Sequence, residues 1–219
     1  MSLKLEARAQ SSTLWTYASP LLALAITVAI GVCLFILLGK DPIRGLQMFF
    51  WEPIRSGYAW GELMVKATPL LIIALGLAVC FRSNVWNIGA EGQFIFGAIT
   101  AGAVALLADK ETSRAIVVLI LLAGILGGMF WAGIVGVLRD KFNANEILVS
   151  LMLVYVADSL LGYMVNGPLK DPNGFNFPQS KTFEMVTQIP RLMSGSRMSI
   201  GLPIAMALAA ALWVFLFRT

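Results

Sequence analysis

The sequence predicts an all-α, polytopic membrane fold of about six transmembrane helices, with a broken or re-entrant segment between the second and third. Three observations carry this. The 219 residues are 58% hydrophobic and only 13% charged, about half the charged fraction of a soluble domain. The apolar residues gather into long runs, and a bilayer-spanning helix needs about 20 of them in succession. Finally, a polar, glycine-bearing stretch, residues 82–93, separates two apolar runs that are each too short to cross alone.

The first span is predicted over 17–38, behind a polar leader that carries Lys4 and Arg8. The run is longer than a signal-peptide core and has no small-residue cleavage site before Gly39, so it reads as a retained helix. Pro20 falls in its first turn, where a missing N–H costs little. Gly39, Lys40, Asp41 and Pro42 end it. Residues 43–66 are mixed and aromatic, with Phe49, Phe50, Trp51, Tyr58 and Trp60. Tyr and Trp favour the membrane–water boundary, which suits a short surface helix or an ordinary loop.

The second and third spans are predicted over 67–81 and 94–108, about fifteen residues each. The stretch between them has two open readings. Non-helical backbone at membrane depth must face protein or water, and transporters place such breaks at their pathways. A tight turn at the interface between tilted helices is the plainer alternative. The fourth span, 115–138, carries Gly124 and Gly128 in a GxxxG pair, continued by Ala132 and Gly136. Small residues at this spacing mark a helix–helix seam in lipid. A polar connector, 139–146, leads to the fifth span, 147–165, and a proline-punctuated loop, 166–197, leads to the sixth, 198–217. Loops of that length are commonly functional or disordered.

Composition excludes several chemistries. The chain has no histidine, which removes His-based metal sites and His general bases. The cysteines, Cys33 and Cys80, lie inside apolar runs and form neither a disulfide framework nor a zinc pattern. The net charge of +4 comes without a block of like charges, so it suits anionic lipid and gives no nucleic-acid surface. No G-x-x-x-x-G-K-[ST] loop is present to hold nucleotide phosphates; Gly39-Lys40-Asp41 lacks the upstream glycine and the Ser/Thr. No catalytic residue, cofactor or metal is predicted. Basic residues divide between the two sets of loops at nearly equal density, so charge counts alone do not orient the chain.

The most distinctive text is FRSNVWNIGAEGQFIFGAITAG, residues 81–102, followed by NANEILVSLMLVYVA, 143–157, and GPLKDPNGFNFPQS, 167–180. In this order they resemble the permeases of ABC importers for nucleosides and simple sugars, related to the branched-chain amino acid and ribose permeases. The resemblance runs from about Leu63 onward. It implies a bacterial plasma (inner) membrane protein with a cytoplasmic N-terminus. It also implies a second permease subunit, separate ABC ATPase subunits and an extracytoplasmic substrate-binding protein. Permeases of this kind continue through a coupling segment and further helices, so the resemblance implies a truncated sequence. An ion-coupled secondary transporter or channel is the alternative.

The candidate pathway residues are Asn84, Asn87, Glu91, Gln93 and Asp158. The first four offer the donors and acceptors that a sugar hydroxyl or nucleobase edge requires. A carboxylate inside a membrane normally faces a partner or a wet cavity. For Glu91 the structural alternative is an ion pair with Arg82. For Asp158, which follows Tyr155 by three, it is a buried hydrogen-bonded group; a proton relay is the functional one. Glu146 reads as a first-turn acid stabilising a helix start.

Overall fold

The computed structural model describes residues 12–175, 177–192 and 196–218; Lys4 and Arg8 lie outside them. The chain forms two compact units, residues 1–63 and 64–219, with the division inside α4.

In the first unit, α1 (Thr13–Leu37) begins one turn earlier than its apolar run. Thr16 Oγ1 donates to the Ser12 carbonyl at 3.1 Å and stabilises that extra turn. Pro20 therefore sits two turns in, not in the first turn. The helix stops at Gly39, whose φ of +65° only glycine adopts freely. Lys40 N–H donates to the Phe35 carbonyl and Gly39 N–H to that of Ile36, the paired bonds of a Schellman stop. Asp41 then accepts from the N–H groups of Ile43 and Arg44 and caps α2 (Pro42–Leu46). A π-helical turn (Gln47–Trp51) and α3 (Glu52–Arg55) follow. The aromatic stretch is thus helical and not a loop. Trp60 Nε1 donates to the Ile54 carbonyl at 3.1 Å.

α4 (Gly57–Arg82) is a full-length helix, whereas its apolar run suggested a short one. Ser56 Oγ accepts the Ala59 N–H and starts it early; the polar and aromatic residues 57–66 are as helical as the apolar ones after them. α5 (Ala90–Ala105) is the short element: 16 residues, about 24 Å, against a hydrocarbon core of about 30 Å. α6 (Ile116–Phe142), α7 (Glu146–Asn166) and α8 (Gly201–Arg218) complete the helices. Five helices, α1, α4, α6, α7 and α8, are long and apolar enough to span a membrane.

α5 lies against α6 and α7. It runs antiparallel to α6: a Cβ on Gly97 would stand 2.9 Å from the Gly124 carbonyl oxygen, one on Gly128 3.4 Å from that of Gln93. Thr100 Oγ1 donates across this seam to the Ala123 carbonyl at 2.9 Å. The predicted small-residue face is therefore used through Gly124 and Gly128. Gly127 joins it against Thr100, while Gly133 and Gly136 meet nothing. α5 runs parallel to α7, with Gly89 against Ser150 and Gly92 against Val154.

α6 continues four residues past its apolar run and shortens the connector. Asn143 takes φ +50°, and Ala144 N–H returns to the Leu138 carbonyl. The cap of α7 is Asn145, whose side chain accepts from Ile147 and Leu148 N–H. Glu146 joins Arg139 in a 3.3 Å ion pair across the turn. Asn145→Ala is expected to cost about 1 kcal/mol, read as a lowered melting temperature in detergent; Asn143→Gly should leave it nearly unchanged.

Candidate functional site

Seven residues, 83–89, separate α4 from α5 without helical structure. α4 ends as Val85 N–H returns to the Cys80 carbonyl at 2.9 Å, and Asn84 turns the chain with φ +56°. Asn tolerates this left-handed region better than most residues. The segment is then held by side chains. Asn87 and Gln93 form a reciprocal amide pair: Asn87 Nδ2 donates to Gln93 Oε1, and Gln93 Nε2 donates to Asn87 Oδ1, both at 3.2 Å. The same Asn87 oxygen accepts the Gly89 N–H at 3.0 Å. Ile88 N–H donates to Ser150 Oγ at 3.3 Å, and Ser150 Oγ donates to the Ile147 carbonyl. Ser150 is fully buried.

Glycine is required twice here. A Cβ on Gly89 would stand 2.8 Å from both the Ser150 Cβ and its carbonyl oxygen. One on Gly92 would stand 3.0 Å from Val154 Cα and 3.2 Å from Trp131 Nε1. Trp131 is buried, stacks on Phe96 at 4.5 Å between centroids, and its Nε1 has no hydrogen-bond partner.

The amide pair stands where two cavities adjoin. One, of about 330 Å³, lies between Leu77 and Cys80 of α4, Phe94 of α5 and Met129 of α6. The other, of about 340 Å³, extends past Trp86 to Arg139 and Glu146. Asn87 and Gln93 line both. The walls are otherwise mainly apolar, so these amides are the hydrogen-bonding groups at the junction.

The structure brings together only two of the five predicted residues. Asn84 is an exposed turn residue. Glu91 lies in the first turn of α5, not at a helix centre, where the positive end of the helix favours its charge. It does not pair with Arg82, whose guanidinium lies 5.2 Å from the Phe217 ring centroid. Asp158 is exposed on α7 and has no hydrogen bond or ion pair among the described residues, so the buried, bonded alternative is not what the fold provides. Ser150 and Trp131 are functional neighbours that the sequence does not single out. Ser150 acts on a segment 62 positions away, a relation that periodicity does not carry.

The family model for the branched-chain amino acid transport system / permease component matches residues 60–219. A glucose ABC transporter permease of Haloferax volcanii is 32% identical over the whole of this chain and 60% of its own length. A nucleoside ABC transporter permease of Lactococcus lactis is 28% identical over 51% of this chain and 30% of its own. A guanosine ABC transporter permease of Bacillus subtilis is 24% identical over 91% and 58%. The chain thus spans about three fifths or less of these relatives. No solved structure matches it significantly.

Proposed function

Because the chain belongs to the branched-chain amino acid transport system / permease component family, we propose that it forms part of the solute pathway of an ATP-driven ABC importer for a small polar solute, a nucleoside or simple sugar. The observation that carries this reading is the unwound segment 83–89, fixed by the Asn87–Gln93 pair and Ser150 inside a bundle of apolar helices. Such a break is stable in a bilayer only against protein or water. ATP hydrolysis resides in separate ATPase chains, a second permease subunit completes the pathway, and an extracytoplasmic binding protein delivers the solute. The pathway candidates remain Asn84, Asn87, Glu91, Gln93 and Asp158. The two amides shape the break, and the carboxylates face outward from it.

Basic residues at the helix ends support an orientation. The ends of α4, α6 and α8 carry Arg82, Arg139, Lys141 and Arg218 in their last turns, whereas α5 and α7 carry none there. The first group gathers at one end: Cys80, Trp86, Arg139 and Glu146 line one cavity, and Arg82 covers Phe217. Basic residues next to span ends favour the cytoplasm. This end is therefore cytoplasmic in our reading, and a single crossing by α1 places the N-terminus there too.

The test is uptake by the full-length protein reconstituted with its ATPase and binding protein. Uptake is expected to require ATP and to survive a protonophore. Uptake that continues without ATP and collapses with the proton gradient would replace this reading with an ion-coupled one.

A further inference from the structure

The α5–α7 pair has one side that no other element covers, and both unpartnered carboxylates point to it. Each residue turns a helix by about 100°. On α5, Gly92 faces α7, and Gln93, one step forward, turns toward α6. Glu91, one step back, points away from α6; Ala98 shares its sector, and both are exposed. On α7 the packed side is Ser150, Leu153, Val154 and Ala157. Asp158 is one step forward of Ala157, and Leu151 one step forward of Ser150; both are exposed. Where two parallel helices face each other, a residue one step back on one and a residue one step forward on its neighbour point to the same side. Glu91 and Asp158 therefore share the face opposite α6. Since Gly92 lies level with Val154, Asp158 stands about five residues farther along, roughly 8 Å.

From this we infer that the α5–α7 face is the solute-facing wall and that its carboxylates set a charge preference: neutral, hydroxyl-bearing or cationic solutes pass, and anionic ones such as phosphorylated analogues do not. This rests on the permease reading. Lipid is a poor cover for a face with two charges. A second copy placed symmetrically would set like carboxylates against each other, which is unfavourable. Water and a hydroxyl-donating solute satisfy the same oxygens, because an ionised carboxylate only accepts hydrogen bonds. Lys66, a basic residue within α4, does not offset them: it precedes Ile73 by seven residues and so shares that residue's cavity-facing side.

The test is thiol labelling in the assembled full-length transporter in liposomes, with native cysteines removed. Ala98→Cys and Leu151→Cys should react about tenfold or more faster with a cationic thiosulfonate than with an anionic one of similar size, as expected for a focused negative field. The ratio should fall toward unity when Glu91→Gln and Asp158→Asn are added. Leu126→Cys, on the far side of α6 from α5, should not react. Absence of labelling at 98 and 151 in a folded transporter would overturn the proposal by showing the face covered. So would a rate ratio indifferent to neutralisation. ATP-driven uptake by the wild type, measured in parallel, separates the two readings: its absence with charge-selective labelling intact removes the permease reading alone.

Discussion

Gly89→Ala is expected to be among the most damaging single-methyl additions in the chain. The new Cβ would lie 2.8 Å from the Ser150 Cβ and from the Ser150 carbonyl oxygen. The first belongs to a fully buried residue and the second to helix backbone, so neither is a flexible tip that can swing aside. Relief requires α5 to move away from α7, which stretches the 3.3 Å bond from Ile88 N–H to Ser150 Oγ. It also disturbs the Asn87 contact to Gly89 N–H. Overpacking of this kind costs about 1–3 kcal/mol, occasionally more, and the lost hydrogen bonds add to it. The expected result is a sharply lowered melting temperature in detergent and reduced yield of folded protein. Gly133→Ala, where a Cβ meets nothing, should behave as wild type. A Gly89→Ala protein that melts like the wild type would show that the α5–α7 contact is looser than described.

The second large effect is expected from Asn87. Asn87→Leu removes the acceptor for both Gln93 Nε2 and Gly89 N–H, and the donor to Gln93 Oε1. Partly buried polar groups left without partners cost about 1–3 kcal/mol each. Gln93→Leu removes two of these three bonds and leaves the Gly89 contact in place, so it should be milder. The double variant should cost less than the sum of the two singles, because the second substitution has no remaining partner to orphan. Hydrogen exchange over residues 83–93 reads this directly: protection should fall most in Asn87→Leu. Strict additivity would mean that the amides act independently and do not form a pair.

Hydropathy makes most of the helices legible. The apolar runs locate α1, α6, α7 and α8 to within a few residues because chain cohesion in lipid and apolar composition report the same thing. The start of α4 is where hydropathy fails. Residues 57–66 carry Glu62, Lys66 and two aromatic side chains, and a hydropathy reading stops where helical backbone bonding does not. The break between α4 and α5 is legible in its composition, yet it is narrower than the polar text. Glu91, Gly92 and Gln93 already belong to α5, where the first acts at the helix start, the second at a close contact and the third as an anchor. The pairing of Asn87 with Gln93 is hidden because six residues apart is no helical neighbour spacing; only the turn through 88 and 89 brings them together. Nearness in sequence of opposite charges couples Arg82 to Glu91, whereas the fold gives that guanidinium an aromatic ring from the far end of the chain.

The shortness of α5 bears on how voltage acts on this protein. A dielectric slab thinned by several ångströms at one spot carries the same potential drop over less distance, so the field there is steeper. An ion crossing beside α5 would do most of its electrical work within that septum, while an uncharged solute would pass it insensitive to membrane potential.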